Sequence, residues 1–201
     1  MFRQNRRVAK RLVLASQSPR RKKLLLQLGV DFDVSVPAID ESLQPDESPQ
    51  DYVVRISTAK AEAVIGDVVL GADTCVALDG KIFVKPSDLV QASVMLKELS
   101  GKTHQVLTGI AVRCDGKLLN EFATTDVEFV DLNQAAIDWY LALGESLDKA
   151  GGYALQGAAG VFVKAIHGSH SNVIGLPLVE TAYLLREAGI DVMSEERSAL
   201  Q

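Results

Sequence analysis

The chain has 201 residues, 47% hydrophobic and 23% charged, with a net charge of −5. Such a chain can bury a full core without metal or disulfide staples, as one domain or as one domain of two lobes around a cleft. No apolar run is long enough to span a bilayer, and an acidic chain is not drawn to nucleic acid or to an anionic membrane surface. Aromatic residues are 5% of the chain and form no stacking cluster, which argues against a base-stacking nucleic-acid module. Cys75 and Cys114 show no C-x-x-C spacing and no disulfide framework, so a reducing, cytoplasmic setting is expected.

Residues 1–11 are basic and lack the apolar stretch of a signal peptide. They are free of acid and rich in arginine, which leaves a transit peptide open; the simpler expectation is a frayed basic tail. A buried strand is predicted at residues 12–15. Ser18 as N-cap and Pro19 at the first helical position then open a helix, with Leu24, Leu25 and Leu28 on its apolar face and Gly29 at its end. Phe32, Val34 and Val36 alternate as in a strand. After a polar loop at 39–47, Ser48 and Pro49 start a second helix to about residue 64, with Asp51 completing a capping-box-like pattern.

Residues 68–78 read as a central strand, and Asp79-Gly80 as a hairpin turn. Ser87 is predicted to cap a third helix that ends at Leu99, before Gly101. Strands at 106–112 and 118–130 meet at Asp115-Gly116. Asn133 caps a helix to residue 143. A glycine-rich stretch at 151–160 precedes a strand at 161–166, and a last helix covers 178–188, closed by Gly189. Strands and helices mix without strict alternation. The expected fold is therefore α/β (mixed α+β) with a mixed sheet, one domain at 12–190 and a tail at 191–201.

Three features carry chemistry. The first is Ser16-Gln17-Ser18-Pro19-Arg20-Arg21, a strand end, a tight loop and a helix start. Free backbone N–H groups and the helix dipole favour an anion there, two serines add hydroxyl donors, and two planar guanidinium forks suit phosphate oxygens. The ordinary alternative is a plain cap followed by an exposed basic turn. Basic residues do concentrate here: nine of the 21 precede the first acid, Asp31.

The second feature is Asp73 inside the apolar run of the central strand, where a carboxylate must be paired, bind a metal or act in function. Gly71 and Ala72 are expected to leave room for a ligand near the backbone. Thr74 should face the opposite side unless a bulge re-aims it. Cys75 reads as a small buried apolar residue. The third feature is a scatter of lysines, Lys60, Lys85 and Lys149, each alone most often a solvated side chain but together able to neutralise a triphosphate. Two decoys are set aside. Gly101-Lys102-Thr103 lacks the first glycine of a P-loop, since Leu96 stands there, and His167 and His170 have metal-like spacing but no third ligand.

Taken together these segments resemble the Maf family of nucleoside triphosphate pyrophosphatases, over about residues 12–190. The resemblance rests on Ala-Ser-Gln-Ser-Pro-Arg-Arg (15–21), Asp40-Glu41, Lys60-Ala61, Gly-Ala-Asp-Thr (71–74), Lys85-Pro86, Ser-Gly-Lys-Thr-His (100–104), Thr108-Gly109, Asp-Lys-Ala-Gly-Gly-Tyr (148–153), Leu-Gln-Gly (155–157) and Val-Ile-Gly-Leu-Pro-Leu (173–178). It implies a two-lobed fold with a deep central cleft, similar to that of inosine triphosphatases. It also implies hydrolysis of a nucleoside triphosphate to the monophosphate and pyrophosphate with a divalent cation, Mg²⁺ or Mn²⁺. Asp73 matches the family's proposed proton acceptor, and Arg20, Thr74 and Gln156 match positions that set substrate choice.

All three choices resemble the dTTP/UTP branch, which implies removal of surplus or modified pyrimidine nucleotides. The 7-methyl-GTP branch resembles Ser-Pro-Trp-Arg, Ser-Asp-Gln and Glu-Gly at those places. Lys60 and Lys85 are the expected catalytic cations, with Ser16, Ser18, Arg21 and Lys149 on the substrate and Glu41 sharing a metal with Asp73. Gln156 offers a donor and an acceptor to a uracil or thymine edge. Thr58 departs mildly from the family, which more often has Arg or Glu there. A non-catalytic nucleotide-binding regulator of cell division is the alternative from another class, and association into a homodimer stays open.

Overall fold

The structure, a computed structural model, describes residues 10–192. The calls on residues 1–9 and 193–201 lie outside the described residues. Lys10 and Arg11, the last residues of the predicted basic tail, are tied to the body of the protein by ion pairs to Asp115 (2.7 Å) and Asp33 (2.8 Å).

Seven strands form one mixed sheet. They are β1 (Leu12–Ala15), β2 (Phe32–Ser35), β3 (Val68–Leu78), β4 (Lys81–Phe83), β5 (Thr103–Cys114), β6 (Lys117–Phe129) and β7 (Val163–His167). The order is β2-β1-β3-β5-β6-β7, with β4 beside the far end of β3. β1 runs parallel to both β2 and β3, and the other pairs are antiparallel. The helices are α1 (Pro19–Leu26), α2 (Pro49–Glu62), α3 (Leu89–Leu99), α4 (Gln134–Ala142), α5 (His170–Ile174) and α6 (Leu178–Glu187). Among the described residues no helix is long and apolar enough to cross a membrane.

The turns follow their local chemistry. Asp79-Gly80 and Asp115-Gly116 hold positive φ at both positions (51° and 80°, 50° and 72°). Two such residues twist a two-residue hairpin to match its strands. Ser18, Ser48 and Asn133 cap their helices as the sequence predicts. Ser87 does not: Asp88 caps α3, accepting from the Gln91 N–H at 2.7 Å, while the Ser87 hydroxyl donates to the Asp88 carboxylate. A carboxylate is the stronger acceptor at a dipole's positive end. The strand expected at 161–166 starts later, because a 3₁₀ turn (Ala158–Phe162) precedes it. The Glu145 carboxylate accepts from the Ala158 N–H, and Phe162 turns inward to pack on Phe129 and Tyr140.

β3 organises the core through its period of two. Val69, Cys75 and Ala77 pack in the clusters that also hold Val53, Ile56, Ala61 and Val64 of α2 and its end. Val68, Leu70 and Ala72 join α1, α5 and α6 in a second cluster, and Val76 joins α3 and α4 in a third. Thr74 falls between the second and third. The neighbouring strand repeats the break, with Val106 in one cluster, Ile110 in the other and Thr108 between. Two apolar clusters on this face of the sheet therefore meet at a polar seam.

α2 lies unusually close to the sheet. A Cβ on Gly71 would stand 2.2 Å from the Ser57 carbonyl oxygen, and one on Gly109 equally close to that of Val53. The space beside Gly71, expected to admit a ligand, is filled by the backbone of α2. Its effect is to bring Lys60 of α2 against Asp73.

Candidate active site

β1 pairs with β3 only as far as Gly71, and β4 joins the same edge of β3 only from Val76. The edge of β3 from Ala72 to Cys75 is left open between them. Open α/β sheets bind ligands at such a place, beyond the carboxyl ends of parallel strands. A cleft of about 320 Å³ opens there, and side chains from both faces of β3 reach it: Asp73 from the α2 face and Thr74 from the other. No bulge is needed, since the register through both residues is regular.

The cleft gathers every residue expected from the sequence to act in catalysis or to hold substrate or metal. Ser16, Ser18, Arg20 and Arg21 come from the β1–α1 turn, Glu41 from the loop after β2 and Lys60 from α2. Asp73 and Thr74 lie on β3, Lys85 after β4, and Lys149 and Gln156 in the segment after α4. Five cations face three carboxylates, the third being Asp148. A chain of net charge −5 thus carries a positive cleft, which draws an anion and raises its local concentration.

Arg21 is the anchor of this wall. Its guanidinium donates to the Gly175 carbonyl (2.7 Å), the Thr74 hydroxyl (2.9 Å) and the Ser16 hydroxyl (3.4 Å). The Thr74 and Thr108 hydroxyls lie 2.9 Å apart, and Thr108 also donates to the Asn172 carbonyl. Burial lowers the pKa of Arg21 while Asp73 pulls it back up, and arginine stays charged. The fork is thus fixed before any ligand arrives. Ser18 accepts from the Arg21 N–H and Ser16 accepts from the Ser18 N–H, which shapes the turn at the helix start.

The second element is a triad built on a buried pair. Lys60 Nζ donates to Asp73 Oδ1 (2.6 Å) and to Glu41 Oε1 (2.9 Å). The Lys60 and Asp73 side chains are only 7% and 8% exposed, and Glu41 is 40% exposed. A lysine so buried is the opposite of the solvated one that its type suggests. Burial would raise the Glu41 pKa, but the hydrogen bond and charge of Lys60, with Lys85 and Arg21 behind it, hold the carboxyl below its usual value. Among the described residues no three His, Cys, Asp or Glu side chains stand together as a metal cage. His167 and His170, at the end of β7 and the start of α5, form no such site.

Arg20 reaches across the cleft to Asp148 (3.3 Å), which also pairs with Lys149. Lys149 donates to the Glu145 carbonyl as well. Lys85 and Gln156 are exposed and line the cleft. Asp148 and Tyr153 line it too, although neither is among the site residues predicted from sequence. Thr58 is not part of the lining: its hydroxyl donates to Asn120 on β6. Burial pushes the Cys75 thiol up to about 12, so it stays a thiol and an inert filler.

An open mixed sheet with a basic helix start and a Lys60–Asp73–Glu41 triad at the break in its edge is built as a phosphate-handling α/β protein would be. The family model described as "Maf-like protein" matches residues 11–188, and the chain belongs to that family. The chain is 52% identical over 193 residues to the dTTP/UTP pyrophosphatase of Anaeromyxobacter dehalogenans (strain 2CP-C), covering 94% of this chain and 100% of that one. It is 52% identical over 187 residues to that of Anaeromyxobacter sp. (strain Fw109-5), covering 90% and 91%. Its identity to that of Escherichia coli O157:H7 is 48% over 191 residues, covering 92% and 96%.

Proposed function

We propose that the protein hydrolyses dTTP and UTP to the monophosphate and pyrophosphate. The observation that carries this reading is the buried Lys60 bridging Asp73 and Glu41 beside a wall of fixed cations. The names of relatives at about half identity over nearly the whole chain support the substrates. Attack of water on the α-phosphorus forms one P–O bond, breaks the bond to the β-bridging oxygen and releases pyrophosphate. The water's proton passes to the Asp73 carboxylate, which the hydrogen bond from Lys60 keeps aimed. Arg21, already fixed by three acceptors, meets the phosphate oxygens without reorganising, and Lys85, Lys149 and Arg20 take the charge of the leaving pyrophosphate.

Glu41 and Asp73 each use one oxygen on Lys60. Two carboxylates completed by phosphate oxygens fit Mg²⁺ or Mn²⁺, which needs no cage made wholly of protein. When bound, such a cation would neutralise phosphate charge and acidify the attacking water. Gln156, on the cleft lining, suits the paired donor and acceptor of a uracil or thymine edge.

Initial rates of pyrophosphate release over a panel of nucleoside triphosphates, with Mg²⁺ and with Mn²⁺, test this. The expected order puts dTTP and UTP first. Faster turnover of 7-methyl-GTP would overturn the substrate assignment. Nucleotide binding without pyrophosphate release would favour a regulator.

A further inference from the structure

Tyr153 is one of the residues that line the cleft, and its hydroxyl is tied into the core, 2.8 Å from His104 Nε2. His104, near the start of β5, is 1% exposed, and Tyr153 is 6% exposed. The imidazole packs edge-on against Phe129 (4.8 Å between ring centres) and Tyr153 (5.5 Å), and Phe129 meets Tyr153 at 4.8 Å. His104 Nδ1 has no hydrogen-bond partner.

This is an expensive way to fill an aromatic core. A buried polar atom without a partner costs about 1–3 kcal/mol, which a phenylalanine in the same place would avoid. Among the described residues the imidazole's one hydrogen bond is to the Tyr153 hydroxyl. Burial also pushes its pKa down to about 4, so near neutral pH it is an uncharged ring and a simple hydrogen-bonding partner. Buried polar groups kept at such a cost specify one arrangement of their neighbours. That arrangement includes the cleft wall. Gly151 and Gly152, both at positive φ, bring the chain under Val76 and Ala92, and Tyr153 to Gln156 then run along the cleft lining.

We propose that His104 is a positioning residue for substrate recognition. From inside the core it holds the Tyr153 hydroxyl, and so fixes the Tyr153 ring as a flat wall for the nucleoside end of the substrate. Through the three residues that follow, it also sets how Gln156 is presented. The inference rests on the nucleotide-hydrolase reading. His104 is not part of the cleft lining and so touches no reacting atom; its loss weakens ground state and transition state alike, which raises KM more than it lowers kcat.

The test compares wild type with His104→Phe, His104→Gln, Tyr153→Phe and the double variant His104→Phe/Tyr153→Phe, using dTTP and dCTP. Phenylalanine should keep the melting temperature at or above wild type. KM for dTTP should rise about tenfold, the worth of one neutral hydrogen bond, while kcat falls far less. Tyr153→Phe should match it, the double variant should be no worse than either single one, and the preference for dTTP over dCTP should shrink. Glutamine, whose amide can meet the tyrosine hydroxyl, should restore most of the affinity. A wild-type KM in a folded His104→Phe protein overturns the proposal. So does additivity of the two single changes, or a loss that follows the melting temperature and is not rescued by glutamine. Failure of the wild type to turn over any nucleotide would instead overturn the functional reading.

Discussion

Lys60 and Asp73 sit 2.6 Å apart with almost no solvent around either. A buried pair of this kind gains little over apolar packing, but losing one partner strands the other charge at about 3–5 kcal/mol. The two partners should therefore respond differently. Asp73→Asn keeps a hydrogen-bond acceptor for Lys60, which retains Glu41, so stability should fall little while pyrophosphate release falls by roughly 10²–10⁴. Lys60→Met leaves two carboxylates facing each other and should lose both activity and, at about 3–5 kcal/mol, several degrees of melting temperature. Rates and thermal denaturation of the two variants check this; equal stability losses would contradict the assigned roles. Asp73 could be suspected from sequence because a carboxylate in an apolar strand demands a partner. Nothing local marked that partner. Lys60 looks like any helix lysine, and Glu41 sits in a polar loop where an acid is unremarkable. The scatter of lysines offers Lys60 only as one of three candidate cations, and only the resemblance singles out Glu41. Tyr153 and Asp148 went unrecognised as site residues because one passes for a core aromatic and the other for a loop acid.

At the scale of elements, the seat of α2 decides where Lys60 points. Gly71 and Gly109 are where the helix backbone touches the sheet. Here a methyl group meets backbone atoms, which cannot swing aside as a side chain can. Gly109→Ala should therefore destabilise the fold by at least about 1–3 kcal/mol, the range for overpacking a tight core, and reduce activity by shifting Lys60. Denaturant titration with parallel rate measurement checks both; an alanine accepted without loss would contradict the close packing. Most elements were legible in the sequence, since caps, hairpin dipeptides and apolar periods are local signals. What failed was local competition and long-range packing. Asp88 outcompetes Ser87 for the cap of α3, and Glu145 pins the Ala158 turn from thirteen residues away. The space beside Gly71 was read as a ligand's when it belongs to a helix, because spacing shows that a position is small but not what fills it.

For the whole molecule, charge and titration give two further expectations. Five cations and three carboxylates in one cleft of an acidic protein should make KM rise with ionic strength while kcat changes little, as measured between low and physiological salt. A KM independent of salt would contradict the electrostatic account. His104 affects stability as well. Burial lowers its pKa from 6.5 to about 4. Between those values the unfolded chain binds a proton that the native state refuses, so stability falls as pH drops through that window. His104→Phe should flatten this acid limb, as equilibrium unfolding at pH 7 and pH 5 would show.

The fold places the basic start of α1, the Lys60–Asp73–Glu41 triad and Tyr153 around a single break in the sheet edge. The proposed mechanism uses this arrangement to direct water to the α-phosphorus. The most direct test is hydrolysis of dTTP in ¹⁸O-labelled water, with mass analysis of the products of wild type and Asp73→Asn. Label in dTMP, with unlabelled pyrophosphate in equal amount and almost no product from the variant, is the outcome expected. Label in pyrophosphate, release of orthophosphate, or undiminished turnover by the variant would contradict the account.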